Sequence, residues 1–217
     1  TDLEFATGSS VNISTTGTGA IDLDGLGTLT LTDLDTANGA ITATSGGALT
    51  VTDVASGTNG NISLTTTSGD ITGLAIVNAG SGNVTLNSAG AIVDDGSAGT
   101  VITGGVLTAD AAGAITIDST VASANISTSA AGNVDLDETD GITLTDLDTN
   151  DGSITVDAGG LITATDVVAA GGSGDSVTLT TTTGGAVATL VTGADAVSIT
   201  ANAGDITIGA VTATAGI

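Results

Sequence analysis

The densest group of chemically active side chains is a run of acids between residues 135 and 152. Its members are Asp135, Asp137, Glu138, Asp140, Asp146, Asp148 and Asp151. Hard cations such as Ca²⁺ bind several oxygen ligands of this kind. Asp135, Asp137 and Thr139 match the alternating ligand positions of a calcium loop, although Gly141 comes one residue late. The alternative is a solvated acidic turn. The candidate calcium ligands are Asp135, Asp137, Asp140, Asp146 and Asp148.

A second candidate for cation binding consists of two pairs of aspartates that occupy the same repeat position in neighbouring rungs. These pairs are Asp33 with Asp53 and Asp146 with Asp166. If the rungs stack, the paired carboxylates lie about one strand spacing apart. Like charges that close either share a cation or raise a pKa. The alternative is that each Asp accepts backbone N–H groups of its own turn.

Catalysis is not expected from this composition. The sequence contains no His, Lys, Arg, Cys or Tyr, so the many Ser and Thr hydroxyls have no side-chain base of the usual kinds. A pair of carboxylates could serve a glycosidase, but sugar sites on β-helical enzymes normally include basic or aromatic residues. We therefore predict that the protein is not an enzyme.

The charge balance restricts the partners further. The formal net charge is −24, with no positive side chain anywhere. Lys and Arg are needed to neutralise phosphates, so nucleic-acid binding is excluded. No run of apolar residues is long enough to span a membrane. The charged partners that remain are cations and basic protein surfaces.

These acids lie within or next to two sequence elements that alternate along the chain. The short element reads Gly-Asn-Ile-Ser-Leu at 60–64 and Gly-Asn-Val-Thr-Leu at 82–86, and the long one reads Leu-Thr-Leu-Thr-Asp-Leu at 29–34. Alternation of apolar and polar residues predicts half-buried strands. The long elements recur mostly every 20–23 residues, with one outlying spacing of 27 between Ile115 and Ile142. We expect two strand segments in each repeat, or rung.

A longer duplication indicates how the rungs are arranged. Residues 29–54 match 142–167 at a constant offset of 113, and the similarity extends over 29–92 and 142–206. Rungs that cannot bury an apolar stripe alone do so by stacking. The prediction is an all-β parallel β-helix (β-solenoid) of roughly ten rungs, forming one array over 1–217. An antiparallel sandwich is the alternative.

Outward threonines on the long strands, such as Thr30 and Thr32 or Thr50 and Thr52, raise an ice-binding alternative. A flat ladder of Thr-x-Thr can order water, but it must continue over many rungs. Here it is interrupted, for example at Val93 and Asp95. Ordinary outward threonines of a strand are the simpler interpretation.

Strands of the form Gly-x-Ile/Val-x-Leu/Val, with turns of Thr, Asn, Asp and Gly, without Cys and poor in aromatics, resemble the repeat regions of filamentous-haemagglutinin-like exoproteins and other giant bacterial surface adhesins. The resemblance covers nearly the whole chain as a pattern of composition and period. It implies a β-helical rod that is extracellular or attached to the cell surface.

The sequence therefore predicts a structural or adhesive rod segment, with a calcium-dependent or ice-binding module as the alternative. Expected partners are other copies or neighbouring repeats, joined end to end, and host or surface ligands. The only candidate cofactor is Ca²⁺. Thr1-Asp2-Leu3 resembles the tail of a long element and Gly216-Ile217 the start of another. We therefore expect a section of a longer array or a filament subunit.

Overall fold

Parallel strands build almost the entire chain in a computed structural model that describes residues 2–97, 99 and 101–214. The strands are β1 (Asp2–Phe5), β2 (Ser9–Thr15), β3 (Ile21–Gly25), β4 (Leu29–Thr36), β5 (Ile41–Ser45), β6 (Leu49–Val51), β7 (Asp53–Ala55), β8 (Ile62–Thr66), β9 (Ile71–Leu74), β10 (Ile76–Asn78), β11 (Val84–Ser88), β12 (Ile92–Asp94), β13 (Ile102–Ala111), β14 (Ile115–Ala131), β15 (Val134–Glu138), β16 (Ile142–Asp151), β17 (Ile154–Ala158), β18 (Ile162–Ala164), β19 (Val167–Ala169), β20 (Val177–Thr181), β21 (Ala186–Gly193), β22 (Val197–Ala201) and β23 (Ile206–Ala213). They stack as a β-solenoid of about ten turns, which confirms the predicted fold class. The described residues include no helix, and so none that could cross a membrane.

Backbone pairing arranges the strands in three columns. Every complete rung contributes one strand segment to each column. Column I comprises β1, β3, β5, β8, β11, residues 107–111, 124–128 and 147–149, β19, and residues 191–193 and 211–213. Column II comprises residues 9–11 and 29–31, β6, β9, β12, residues 115–118, β15, β17, β20 and β22. Column III comprises residues 12–15 and 33–36, β7, β10, residues 102–104, 119–123 and 142–144, β18, and residues 186–188 and 206–208.

The expectation of two strand segments per rung was wrong, because the long elements bend at their Thr-Asp step. Leu31 and Leu34 are both buried, although they are three residues apart and strict alternation would place them on opposite faces. The pairing of β2 with β4 shifts at this step, where Val11 pairs with Leu31 but Asn12 pairs with Asp33. An extra residue of this kind turns the strand and forms the corner between columns II and III.

The two halves of the duplication lie on different columns. Leu29 pairs with Leu49 in column II, whereas its counterpart Ile142 pairs with Ile162 in column III. The change occurs between β14 and β15. Ile115, which begins a long element in β14, pairs with Val134, which begins a short element in β15. The spacing of 27 residues from Ile115 to Ile142 exceeds a 20-residue rung by seven, about one third of a rung. Short elements therefore occupy column I before this point and column II after it.

The core is a narrow stack of aliphatic side chains enclosed by the three columns. Its members are Leu, Ile, Val and Ala at the inward positions, and those of the central rungs are almost completely buried. Outward positions carry mainly Thr, Ser, Asn and Asp. In-register ladders of similar β-branched and leucine side chains favour this parallel stacking. The near absence of aromatic side chains, of which Phe5 is the single example, fits a core of this width.

Buried hydroxyls close many of the bends that follow these strands. Thr36 donates to the Gly39 carbonyl at 2.6 Å, Thr66 donates to that of Gly69 at 2.8 Å, and Ser88 donates to that of Ala91 at 2.9 Å. Each bond satisfies a carbonyl that would otherwise be left unpaired beside the core.

Glycine is required where successive rungs touch at these bends. A Cβ on Gly60 would overlap the carbonyl oxygen of Gly39. The corner can therefore repeat at strand spacing only with hydrogen as the side chain.

Candidate functional site

An acidic ladder runs along the outer face of column II. We define it as Asp118, Asp137 and Asp157, which are paired in register across three consecutive rungs. Alternation places these side chains outward, between the buried Ile117, Leu136 and Val156 of the same strands. Neighbouring parallel strands lie about 4.8 Å apart, so three carboxylates are held in a row by the backbone alone.

No positively charged side chain of this protein offsets the repulsion between these carboxylates. Burial raises the pKa of Asp137, and the charges of Asp118, Asp135 and Asp157 raise it further. Burial, followed by Asp157 and Asp118, likewise raises the pKa of Asp135. Since the chain has no Lys, Arg or His, only protons and external cations can neutralise these groups.

The five predicted calcium ligands are divided between two columns. Asp135 and Asp137 lie on β15 in column II, and Asp140 lies in the bend that follows. Asp146 and Asp148 belong to β16, where they pair with Asn125 and Ser127 in column I. Within the described part of the chain, no group of three or more acidic residues is arranged to hold a metal ion. The segment that resembled a calcium loop is a strand, a bend and a second strand.

The paired aspartates do lie next to each other. Leu34 pairs with Val54, which places Asp33 beside Asp53, and Leu147 pairs with Val167, which places Asp146 beside Asp166. Burial, followed by Asp35 and Asp33, raises the pKa of Asp53.

The hydrogen bonding of Asp33 extends to a neighbouring rung. The Asp33 carboxylate accepts a hydrogen bond of 3.1 Å from Asn12 Nδ2 in the preceding rung. Oδ1 of both Asp148 and Asp166 is buried and has no hydrogen-bond partner. Burial and then the charges of Asp146 and Asp166 raise the pKa of Asp148.

The sequence analysis grouped Glu138 with the neighbouring acids and did not predict that its side chain lies in the core. Its side chain is 3% exposed and lies inward, at the position where other rungs have a buried Ser or Thr. Ser119 Oγ donates to Glu138 Oε2 at 2.7 Å, and the Val121 N–H donates to the same oxygen at 3.1 Å. Burial raises the pKa of Glu138, and these donors counteract part of that effect. The alternation Val134-x-Leu136-x-Glu138 was the signal that could have located it.

A depression in the surface joins Glu138 to the acidic ladder. Asp118, Asp137 and Asp157 line it together with Glu138, Thr139 and Gly159. The polar side chains that line the depression carry carboxylates and hydroxyls, which can bind protons and cations.

The outward threonines of column II form only a short ladder. Thr30 pairs with Thr50 and Thr50 pairs with Thr72, but the next rung presents Val93. The ladder is therefore interrupted, as expected from the sequence.

The other distinctive surface is the open end formed by β22 and β23. Ile206 and Ile208 are 43% and 52% exposed, although their column partners Ala186 and Ala188 are each 2% exposed. An apolar depression at this end is lined by Ala196, Val197, Ser198, Ile199, Ile206, Ile208 and Val211. We call this surface the open end. It displays inward-facing core positions that no further rung covers in the described chain.

Comparison with known protein families, with curated proteins and with solved structures finds no match to this chain.

Proposed function

We propose that this chain is a structural and adhesive rod segment of a secreted or cell-surface repeat protein, and that it assembles end to end into an extracellular filament. The observation that carries the proposal is the continuous stack of parallel rungs, whose core positions are still exposed at the last described rung. Ile162 in column III is fully buried, whereas Ile206, two rungs further along the same column, is 43% exposed. Covering such positions is favourable by about 25 cal/mol per Å² of apolar surface.

The backbone of the open end supports the same assembly. β22 pairs with β20 and β23 pairs with β21, and neither has a partner on its outer edge among the described strands. An unpaired strand edge is a template for another strand. A parallel strand from a further rung would satisfy this edge and bury Ile206 and Ile208 in one step.

The charge distribution favours end-to-end association of rods over side-by-side association. The outward faces carry most of the 24 acids, and no side chain of the opposite sign is available. Two rods placed side by side would therefore repel each other. At the open end the described core positions are aliphatic, so repulsion is weaker there.

An extracellular location and an adhesive role rest on the resemblance to surface exoproteins described above. The fold is compatible with that role, because a stack of rungs separates its two ends by about 45–50 Å. The acidic outer faces would recognise basic surfaces or cations. We propose no catalytic activity.

Sedimentation velocity of the purified chain over a range of concentrations tests the assembly. We expect association that is weakened about tenfold or more by Ile208→Asp, because the new charge would have to be buried in the joint. Leu161→Asp is the matched control, since Leu161 is 47% exposed on the side of the rod. A monomer at all concentrations, or equal effects of the two variants, would refute the proposal.

A further inference from the structure

Asn38 and Gly39 form an Asn-Gly step in the bend between columns III and I, where the stacking of rungs uses both residues. A Cβ on Gly39 would overlap the carbonyl oxygen of Gly19 in the preceding rung, so a larger residue would force the two rungs apart. The side chain of Asn38 bonds to the following rung, because its Oδ1 accepts the Asn59 N–H at 2.9 Å. The fold therefore places an amide side chain directly before a residue with no side chain.

The residue that follows distinguishes Asn38 from another asparagine that makes the same bond. Asn61 Oδ1 accepts the Asn83 N–H, also at 2.9 Å. The next residue there is Ile62, whose branched side chain crowds its own backbone nitrogen. Gly39 has no side chain, so its nitrogen is open to reaction with the amide before it.

The Asn38 side chain is held with its reacting atoms accessible. Asn38 is exposed, and its Oδ1 accepts a second hydrogen bond, of 3.1 Å, from Thr58 Oγ1. Two donors on one amide oxygen withdraw electron density from Cγ and stabilise the negative charge that develops on Oδ1 when a nucleophile adds. Among the described residues, neither Asn38 Nδ2 nor the Gly39 N–H donates a hydrogen bond. The leaving nitrogen and the attacking nitrogen are thus both available.

We propose that Asn38 is a site of spontaneous deamidation in the folded protein. Hydroxide removes the proton of the Gly39 N–H, and this nitrogen attacks Asn38 Cγ. The new C–N bond closes a succinimide ring. The Cγ–Nδ2 bond breaks, and Nδ2 takes a proton from water and leaves as ammonia. Water then opens the ring at either carbonyl, which leaves aspartate or isoaspartate at position 38.

A second Asn-Gly step, Asn59-Gly60, lies in the next rung and is held differently. Asn59 Nδ2 donates to Thr58 Oγ1 at 3.4 Å, so the leaving nitrogen is engaged. Within the described chain, Asn59 Oδ1 accepts one hydrogen bond, from Ser81 Oγ, whereas Asn38 Oδ1 accepts two. Asn59 should therefore react more slowly than Asn38, although the two dipeptides are identical.

Isoaspartate would alter the bend itself. It adds a main-chain carbon between position 38 and Gly39, so the backbone of the bend becomes longer. The Gly39 carbonyl oxygen lies so close to Gly60 that a Cβ there would overlap it, and the longer bend cannot keep this contact. We expect the isoaspartate form to unfold at a lower urea concentration than the unmodified chain.

Incubation of the folded chain at mildly alkaline pH, followed by peptide mapping with mass spectrometry, tests the proposal. The chain has no Lys or Arg, so a protease that cleaves beside Asp takes the place of trypsin. We expect a mass gain of about 1 Da at Asn38, at least about tenfold faster than at Asn59 or Asn61. In urea these contacts are lost, so Asn38 and Asn59 should react at similar rates. A folded chain in which Asn38 reacts no faster than Asn61 would overturn the proposal.

Variants of Thr58, an exposed residue, test the contact to Asn38. Thr58→Val removes one donor to Asn38 Oδ1 and should slow deamidation of Asn38 by about threefold or more. Thr58→Ser keeps the hydroxyl and should retain the parental rate. If Thr58→Val melts like the parent but deamidates as fast or faster, the role given to these donors is wrong. Neither experiment depends on end-to-end assembly.

Discussion

Ile115 pairs in parallel register with Val134, although Ile115 begins a long element and Val134 begins a short one. Both side chains are about 1% exposed, so the core continues without a gap through this change. The next inward pair, Ile117 with Leu136, is buried in the same way. Stacking thus requires an apolar residue above an apolar residue but not identical elements. That tolerance permits the displacement by one column.

Acidification should stabilise the fold. Burial and neighbouring carboxylates raise the pKa of Asp35, Asp53, Asp137 and Asp148 in the folded chain. A folded pKa above the unfolded value means that the folded state binds more protons, so stability is lost as pH rises through the raised pKa. We expect the urea midpoint to increase as the pH is lowered from neutral towards about 4, the ordinary pKa of Asp. A lower midpoint at the acidic pH would contradict this account.

Replacing Glu138 with an uncharged hydrogen-bond acceptor should lower the stability of the fold less than removing its hydrogen bonds. Glu138→Ala leaves Ser119 Oγ and the Val121 N–H without their partner, at a cost of about 1–3 kcal/mol. Glu138→Gln keeps an acceptor without the buried charge, so its stability at neutral pH should be at least that of the parent. Urea denaturation of both variants measures the difference. Glu4→Gln, at an exposed position, is the control, and equal losses for both Glu138 variants would argue against the assignment.

Much of the fold follows from local patterns, but the number of columns does not. The alternation of Ile62-Ser-Leu64 predicts a strand and its inward face from neighbouring residues alone. The corner was missed because Leu31 and Leu34 were assigned to one continuous strand, although their three-residue separation breaks the period of two. Which strand stacks on which depends on the length of a whole rung, and that is a property of tertiary structure.

The candidate site was less predictable than the fold. Sequence proximity suggested that Asp137 and Asp146 could share a cation, but the chain turns between them and places them on different columns. The ladder partners of Asp137 are Asp118 and Asp157, each about one rung away in sequence. Only the pairing register brings these residues together.

Inward and outward residues at neighbouring positions should differ sharply in their contribution to stability. Ile162 is fully buried, whereas Leu161 is 47% exposed. Ile162→Ala should lower the free energy of unfolding by about 2–5 kcal/mol, because it removes core contacts and leaves a cavity. Leu161→Ala should change it by less than about 0.5 kcal/mol. Chemical denaturation of the two variants compares them, and similar losses would contradict the assigned faces.

Calcium should act on this protein mainly through ionic strength. The predicted ligands are divided between columns I and II, and the acidic ladder presents its carboxylates in a row and not around one point. At matched ionic strength, CaCl₂ and NaCl should therefore raise the melting temperature to a similar extent, and EDTA should have no effect. A calcium-specific increase that is lost in Asp137→Asn would instead support the predicted metal site.

Electron cryo-microscopy of the concentrated chain tests the central claim, that the open end is a site for end-to-end assembly. We predict unbranched filaments one solenoid wide, with an axial repeat of about 45–50 Å per copy. Separate short rods at every concentration would contradict the claim.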